Sequence, residues 1–382
     1  MRRRVELDAA RGLMLVWMTL THLPTKASIY ANQTIGFVSS AEGFIFLSAL
    51  FTGLIYFRLS ERSGVRAMQT RIWMRTLRLY GYHALLLAFA FLVAVPIAAR
   101  GNRPNLYYLL DFYFLGGAKR AIVDSALLIY RPPLLDILPM YIFFLLFTPL
   151  VLRAGRAGFW KPILGISFTI WLLAQVGLRQ FAYNLGVHYL GLRIPLNEMG
   201  AFDLWAWQFL WVLGLWFGVR WAKDEIPAQT WARKLLIPAA IIVPVLLVLR
   251  YAVGNGIDLG NFEVCFDKWH LGVVRLVNFA AVATLLIRFP VILRKISIRP
   301  LVLMGQASLH VFCFHLIFCF AGLTLMGNAN MLNGWEQVFI LVITFAGLIL
   351  VAKVFSKERT GKGKNAVAPP LATPPPSYRS EQ

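Results

Sequence analysis

The chain has 382 residues, 59% hydrophobic and 14% aromatic, with only 14% charged and a net charge of +21. A soluble globular domain carries about 25% charged residues, and no soluble core of this size would bury so much apolar surface, so a membrane protein is implied. A surplus of positive charge would suggest nucleic acid in a soluble protein. Here Lys and Arg fall between apolar stretches, where membrane topology needs them, and nucleic acid is not an expected partner.

The chain starts Met1-Arg2-Arg3-Arg4, like the n-region of a signal peptide. Asp8 and Arg11 precede the apolar stretch and no small-x-small site follows, so the segment reads as an uncleaved first membrane helix. Crossing about 30 Å of hydrocarbon takes about 20 mostly apolar residues. The segments that meet or approach this are 10–30, 36–57, 80–99, 134–152, 159–178, 203–219, 235–253, 270–287, 301–325 and 335–352. The fold class expected is therefore all-α, a polytopic membrane domain over residues 1–355 with about ten transmembrane helices. Pro24 interrupts the first span, and 121–130 is too short to cross, so it reads as interfacial or re-entrant. Residues 356–382, basic and then proline-rich, read as a disordered tail that its lysines hold near anionic lipid. Cys265, Cys313 and Cys319 show no paired spacing, which argues against a disulfide framework and a structural zinc site; no metal is expected.

Orientation follows from the loops. With a cytoplasmic N-terminus, 27 of the 38 Lys and Arg residues fall on the inner side and ten on the outer, with Arg275 inside a span. Both ends are then cytoplasmic.

Ionisable and polar side chains in hydrocarbon cost about 2.5–3.5 kcal/mol each, so each asks for a reason. The candidates are His22, Glu42, His83, Asp136, Trp207-Gln208, Arg275, His310 and His315. His310 reads as a bond to a neighbouring helix, and Arg275 as the counter-ion of a carboxylate that the sequence does not identify. Asp136 either caps the helix that starts there or serves the site. Arg11 and His22, 11 residues apart, share a helix face about 16 Å apart in depth, and Asp8 is placed to pair with Arg11. Pro24 frees backbone groups just beyond His22. Glu42 enters from the other side to about the same level as His22, which suggests a His22–Glu42 dyad raising the basicity of the imidazole. The alternative is a buried ion pair that only fixes packing.

At these residues the chain resembles the membrane acyltransferase superfamily, which typically has ten spans and an Arg, ten residues, then a His in the first. Within it the chain is most similar to the OpgC family of bacteria, associated with succinylation of osmoregulated periplasmic glucans. The matching pieces are Leu7-Asp8-Ala9-Ala10-Arg11-Gly12, Gly36 through Ser48, Arg75-Thr76-Leu77-Arg78-Leu79-Tyr80-Gly81-Tyr82-His83, Leu135 through Tyr141, Trp207-Gln208 and Gly305-Gln306-Ala307-Ser308-Leu309. Ala49 stands where the family usually has Gly.

The resemblance implies an O-acyltransferase of the bacterial inner membrane. It would take an acyl group from cytoplasmic acyl-CoA, succinyl-CoA in this family, to a hydroxyl of a periplasmic or surface glycan, with no permanently bound cofactor. His22 is the expected base or acyl carrier and Glu42 its orienting partner. Asp8, Arg11, Ser48, Arg75, Arg78, His83, Asp136 and Gln208 are expected to bind substrate or acyl-CoA. Arginine suits the coenzyme phosphates, although Arg75 and Arg78 equally fit an ordinary positive-inside loop. Ser48 is either an oxyanion donor or a packing residue. Other readings are a proton-coupled transporter of a small anionic or sugar substrate, since intramembrane His, Glu and Arg also mark proton relays, and a non-catalytic scaffold. No convincing inverted repeat supports the transporter.

Overall fold

The computed structural model describes residues 5–364 except 102, 226, 227 and 330. Among them the regular structure is helical, with no strand. The helices that build it are α1 (Val5–His22), α2 (Ser40–Phe89), α3 (Ile137–Arg156), α4 (Trp160–Gln175), α5 (Leu178–Leu190), α6 (Leu204–Ala222), α7 (Leu236–Gly254), α8 (Val273–Arg288), α9 (Arg299–Gln306), α10 (Ser308–Met326) and α11 (Gly334–Lys364), with shorter helices between them.

Among the described residues six helical runs are long and apolar enough to cross a membrane, or up to seven if α4 and α5, bent by 82° at their junction, form one span. The protein is an all-α polytopic membrane protein. The predicted count of ten is larger for three reasons. Glu6, Asp8 and Arg11 load α1 with charge. Helix α8 has only 16 residues. The run Ser40–Arg100 takes in two predicted segments at once.

That run is not one rod. Gly64 has φ 82° and ψ 167°, a conformation that only glycine adopts readily. Beyond it Arg75 Nη1 donates to Thr52 Oγ1 at 3.0 Å. Twenty-three residues of straight helix would hold these two positions about 35 Å apart, so the chain folds back at Gly64 and α2 is a helical hairpin.

Helix α1 ends at His22, as Pro24 requires. Its packing on α9 is backbone against backbone. A Cβ on Gly12 would lie 2.0 Å from the Leu301 carbonyl oxygen, and one on Gly305 would lie 1.8 Å from that of Asp8. The two pairs run in opposite senses, so α9 is antiparallel to α1. The chain then turns at Ala307, and α10 runs parallel to α1, with Ser308 beside Arg11 and His315 beside His22. The predicted continuous span 301–325 is therefore two helices, broken at Ala307, just past Gly305.

Helix α11 runs to Lys364, so residues 356–364 are helical where the sequence predicts the start of a disordered tail. The remainder of the predicted tail, 365–382, lies outside the described residues. Segment 121–130 falls largely in a nine-residue helix, Ala118–Ala126, too short to cross. Ala49 packs within van der Waals reach of Gly214 on α6, so the close approach that a glycine at 49 would give is supplied by the helix opposite. The core lies where α1, α2, α3, α6 and α10 meet, filled by Leu15, Ile45, Leu145, Trp207 and Leu316. Helix α7, by contrast, leaves Ile237, Ile241 and Val248 exposed, an apolar face that hydrocarbon would cover.

Candidate functional site at the His22 end of the bundle

His22 is the last residue of α1 and is half-buried. Its Nδ1 lies 3.4 Å from Nε2 of His315, and the two rings stack with centroids 5.7 Å apart. His315 is fully buried, and its Nδ1 lies 2.5 Å from the Phe312 carbonyl oxygen. A carbonyl only accepts, so His315 Nδ1 carries the proton and its Nε2 presents a lone pair when the ring is neutral. The proton between the rings then belongs to His22 Nδ1. That leaves a lone pair on His22 Nε2, the atom that a base or nucleophile needs.

Cys319 lies one helical turn beyond His315. One donor atom from each of His22, His315 and Cys319 lies within 4.8 Å of the others, a set that could hold a metal ion such as Zn2+. Sequence reading expected no metal ligands and missed this group, because its members come from opposite ends of the chain. The i, i+4 spacing of His315 and Cys319 was the available signal.

Glu42 corrects the predicted dyad. It is the third residue of α2 and closes a capping box: Ser39 N–H donates to Glu42 Oε2 at 3.0 Å, and the Ser39 hydroxyl donates to the same oxygen. The other oxygen, Oε1, accepts Arg275 Nε at 2.8 Å and also Arg275 Nη2. Both side chains are fully buried. Depth along the helices put Glu42 level with His22, but the capping box fixes its helical phase, and the arginine that had to have a carboxylate takes the free oxygen. The partner of His22 is His315.

A lysine that sequence reading did not single out stands among these groups. Lys268 lies in the loop before α8, over the rings of Trp269 at 4.7 Å and Phe202 at 5.9 Å. That loop is pinned by its backbone: the Trp269 carbonyl accepts from Asp203 N–H and from Trp207 Nε1, both at 3.0 Å. Lys268 is within electrostatic reach of Glu42, Arg275, Asp136 and His22. Burial pushes its ammonium below the usual lysine range, against the pull of Glu42. Asp136 stands at the N-cap of α3 but does not cap it; its Oδ2 accepts the Ala201 N–H at 3.2 Å, tying the start of α3 to the loop before α6.

Among the predicted residues and their neighbours, several buried polar atoms have no partner among the described residues: Ser48 Oγ, both ring nitrogens of His83, Arg275 Nη1 and Asn278 Nδ2. Buried polar groups are normally paired, so each of these atoms is open to a further hydrogen bond.

The other predicted residues are spread more widely. Arg11 Nη2 donates to Ser308 Oγ at 2.7 Å, and its guanidinium lies over Phe51. Asp8 is buried against α9. Arg75 is drawn inside the bundle, onto Thr52 and onto Tyr141 OH at 2.9 Å, whereas Arg78 is exposed. Gln208 is taken up structurally: its Oε1 accepts from Ser167 Oγ at 2.6 Å and its Nε2 donates to the Ser167 carbonyl at 2.8 Å, holding α4 to α6. His310 bonds Tyr82 OH at 2.7 Å and stacks on Phe355, a helix-to-helix bond as expected.

No curated protein and no solved structure matches this chain. A family model described as OpgC protein matches residues 3–360, which takes in every element of the site. The match spans the Arg11-to-His22 helix, the Ser39–Glu42 cap and the Gly305–Ser308 turn, and the chain belongs to the OpgC protein family.

Proposed function

We propose that the protein transfers an acyl group, succinyl in this family, from cytoplasmic acyl-CoA to a hydroxyl of a periplasmic or surface glycan, with His22 as general base. The observation that carries this reading is the chain of hydrogen bonds from the Phe312 carbonyl through His315 to His22, which leaves the lone pair of His22 Nε2 free on a half-buried ring.

In the reaction, His22 Nε2 takes the proton of the acceptor hydroxyl as its oxygen attacks the thioester carbon. The tetrahedral intermediate collapses with cleavage of the C–S bond, and the imidazolium returns the proton to the departing sulfur, giving ester and free coenzyme A. Ser48 Oγ, buried and unpartnered, suits donation to the developing oxyanion. Arg11, Arg75 and exposed Arg78 are the groups for the coenzyme phosphates, with Asp8 beside Arg11 in the sequence. His83 and Asp136 are acceptor-side groups. The membrane supplies the two compartments, with both termini cytoplasmic.

The test uses the full chain purified in detergent with labelled succinyl-CoA and a glucan acceptor. Label transfer that vanishes in His22→Ala supports the reading. Solute uptake into proteoliposomes without acyl-CoA turnover would replace it with the transporter.

A further inference from the structure

The charges around His22 do not close among themselves. Glu42 has spent both oxygens, one on Arg275 and one on Ser39. Asp136 has turned one oxygen to the Ala201 amide. Lys268, half-buried between Trp269 and Phe202, forms no hydrogen bond or ion pair from its ammonium among the described residues. On α8, Arg275 Nη1 is left over after its other two nitrogens bind Glu42, and Asn278 Nδ2 is left over one turn further on, after Asn278 Oδ1 has accepted the Phe37 amide at 2.7 Å. The leftover atoms on Lys268, Arg275 and Asn278 are all donors, and among the described residues neither the second oxygen of Asp136 nor the unpartnered Asp203 Oδ2 bonds to any of them. An ammonium has three N–H groups and no lone pair, and the guanidinium and the amide nitrogen likewise only donate. What completes such a set is a group that only accepts and carries negative charge.

We infer that Lys268, with Arg275 Nη1 and Asn278 Nδ2, forms a binding site for a carboxylate at the far end of the transferred acyl chain, and so selects dicarboxylic acyl donors over neutral ones. The inference rests on the acyl-transfer reading and adds the determinant of donor choice. The segment that carries Lys268 meets α8 through Phe266, whose ring centroid lies 4.6 Å from that of Phe37, the residue whose amide bonds Asn278. With Lys268 within electrostatic reach of both His22 and Arg275, a short chain whose thioester carbon is at His22 would direct its other end toward this loop. A neutral chain of equal length would dehydrate the ammonium and the two N–H donors without pairing them, and sites built to hydrogen-bond a group reject analogues that lack it. Trp269 and Phe202 hold the ammonium by their ring faces without neutralising it. The Trp269 carbonyl bonds to Asp203 and Trp207 fix the loop, so the lysine is presented by a rigid segment.

The experiment compares succinyl-CoA with butyryl-CoA, equal in chain length and differing in the terminal carboxylate, on the full chain in detergent or nanodiscs. The wild type is expected to prefer succinyl-CoA in kcat/KM. In Lys268→Gln that preference should fall about tenfold or more, through loss with succinyl-CoA and not with butyryl-CoA, and Lys268→Arg should keep most of it. An unchanged ratio, or an equal fall with both donors, overturns the inference; an unchanged ratio is also the outcome if the anion belongs to the acceptor. Should neither donor be turned over by the wild type, the proposed function fails by itself. The carboxylate site is then read by thermal protection with monomethyl succinate against methyl butyrate. Protection by the former alone, lost in Lys268→Gln, supports the site, and equal or absent protection overturns it. Lys268 makes no ion pair among the described residues, so the variant strands no opposite charge and gives up only the ring contacts with Trp269 and Phe202. A size-exclusion profile matching the wild type verifies the fold, and Lys268→Met repeats the test should Gln fail it.

Discussion

Arg275 and Glu42 stand 233 residues apart in sequence and meet in an ion pair with both side chains fully buried. The pair joins the start of α2 to the start of α8. Removing one member of a buried pair strands the other charge and costs about 3–5 kcal/mol, whereas replacing both with apolar residues is often neutral. Glu42→Gln should therefore lower the unfolding midpoint in detergent and reduce the folded fraction, with activity following the folded fraction. The double variant Glu42→Gln/Arg275→Met should recover much of the stability. If Glu42→Gln retained wild-type stability yet lost all turnover, Glu42 would have a direct chemical role that its contacts do not give it.

His315 acts through His22. Because the Phe312 carbonyl fixes the tautomer of His315, and His315 in turn that of His22, His315→Ala should cut kcat by about 10–100-fold. The acid limb of the kcat/KM profile should move as well, which loss of packing alone would not do. His22→Ala should abolish transfer outright. A His315→Ala enzyme with an unshifted pH profile would remove His315 from the mechanism.

The same neighbourhood exposes the site to inhibition by a thiophilic cation. His22, His315 and Cys319 converge closely enough to hold Zn2+, and occupancy would consume the lone pair that the reaction needs. Added Zn2+ should inhibit reversibly, with activity restored by a chelator. Cys319→Ser should weaken that inhibition at least severalfold. Equal sensitivity of the two proteins would place the inhibitory ion elsewhere.

Lys268 supplies a pH signature. Burial lowers its pKa, so its charge is lost at a lower pH than that of an exposed lysine. Protection by monomethyl succinate should therefore fall as pH rises, starting below the ordinary lysine range. In Lys268→Arg the fall should move upward, because a guanidinium stays charged. A flat profile in the wild type would show that the ammonium does not contribute.

Much of the architecture was legible because hydropathy alone decides it. Apolar runs separated by basic loops gave helices at the expected places, and Pro24 marked the end of α1. Arg275 announced that a carboxylate must exist. The Ser39-to-Glu42 spacing even carried the signature of a capping box, which competes with any partnership with His22. The partners themselves were not legible. Depth along a helix says nothing of phase about its axis, so Glu42 and His22 could share a level and still turn to different neighbours. The turn at Ala307 had no proline to announce it, and nearby Gly305 is equally the mark of close helix packing, which it provides against Asp8. Lys268 sat in a loop whose composition gave no reason to choose it over the other basic residues, and only the fold brings it within electrostatic reach of His22.

The contacts that bring α1 against α9 and α10 have a consequence for biosynthesis. His22 is made 293 positions before its ring partner, and Arg11 is made 297 positions before Ser308. These contacts between α1 and α10 therefore form only after α10 has been inserted. Competence in the proposed reaction would thus wait for α10, and a product terminated before that helix would be inert even if every earlier segment had inserted correctly.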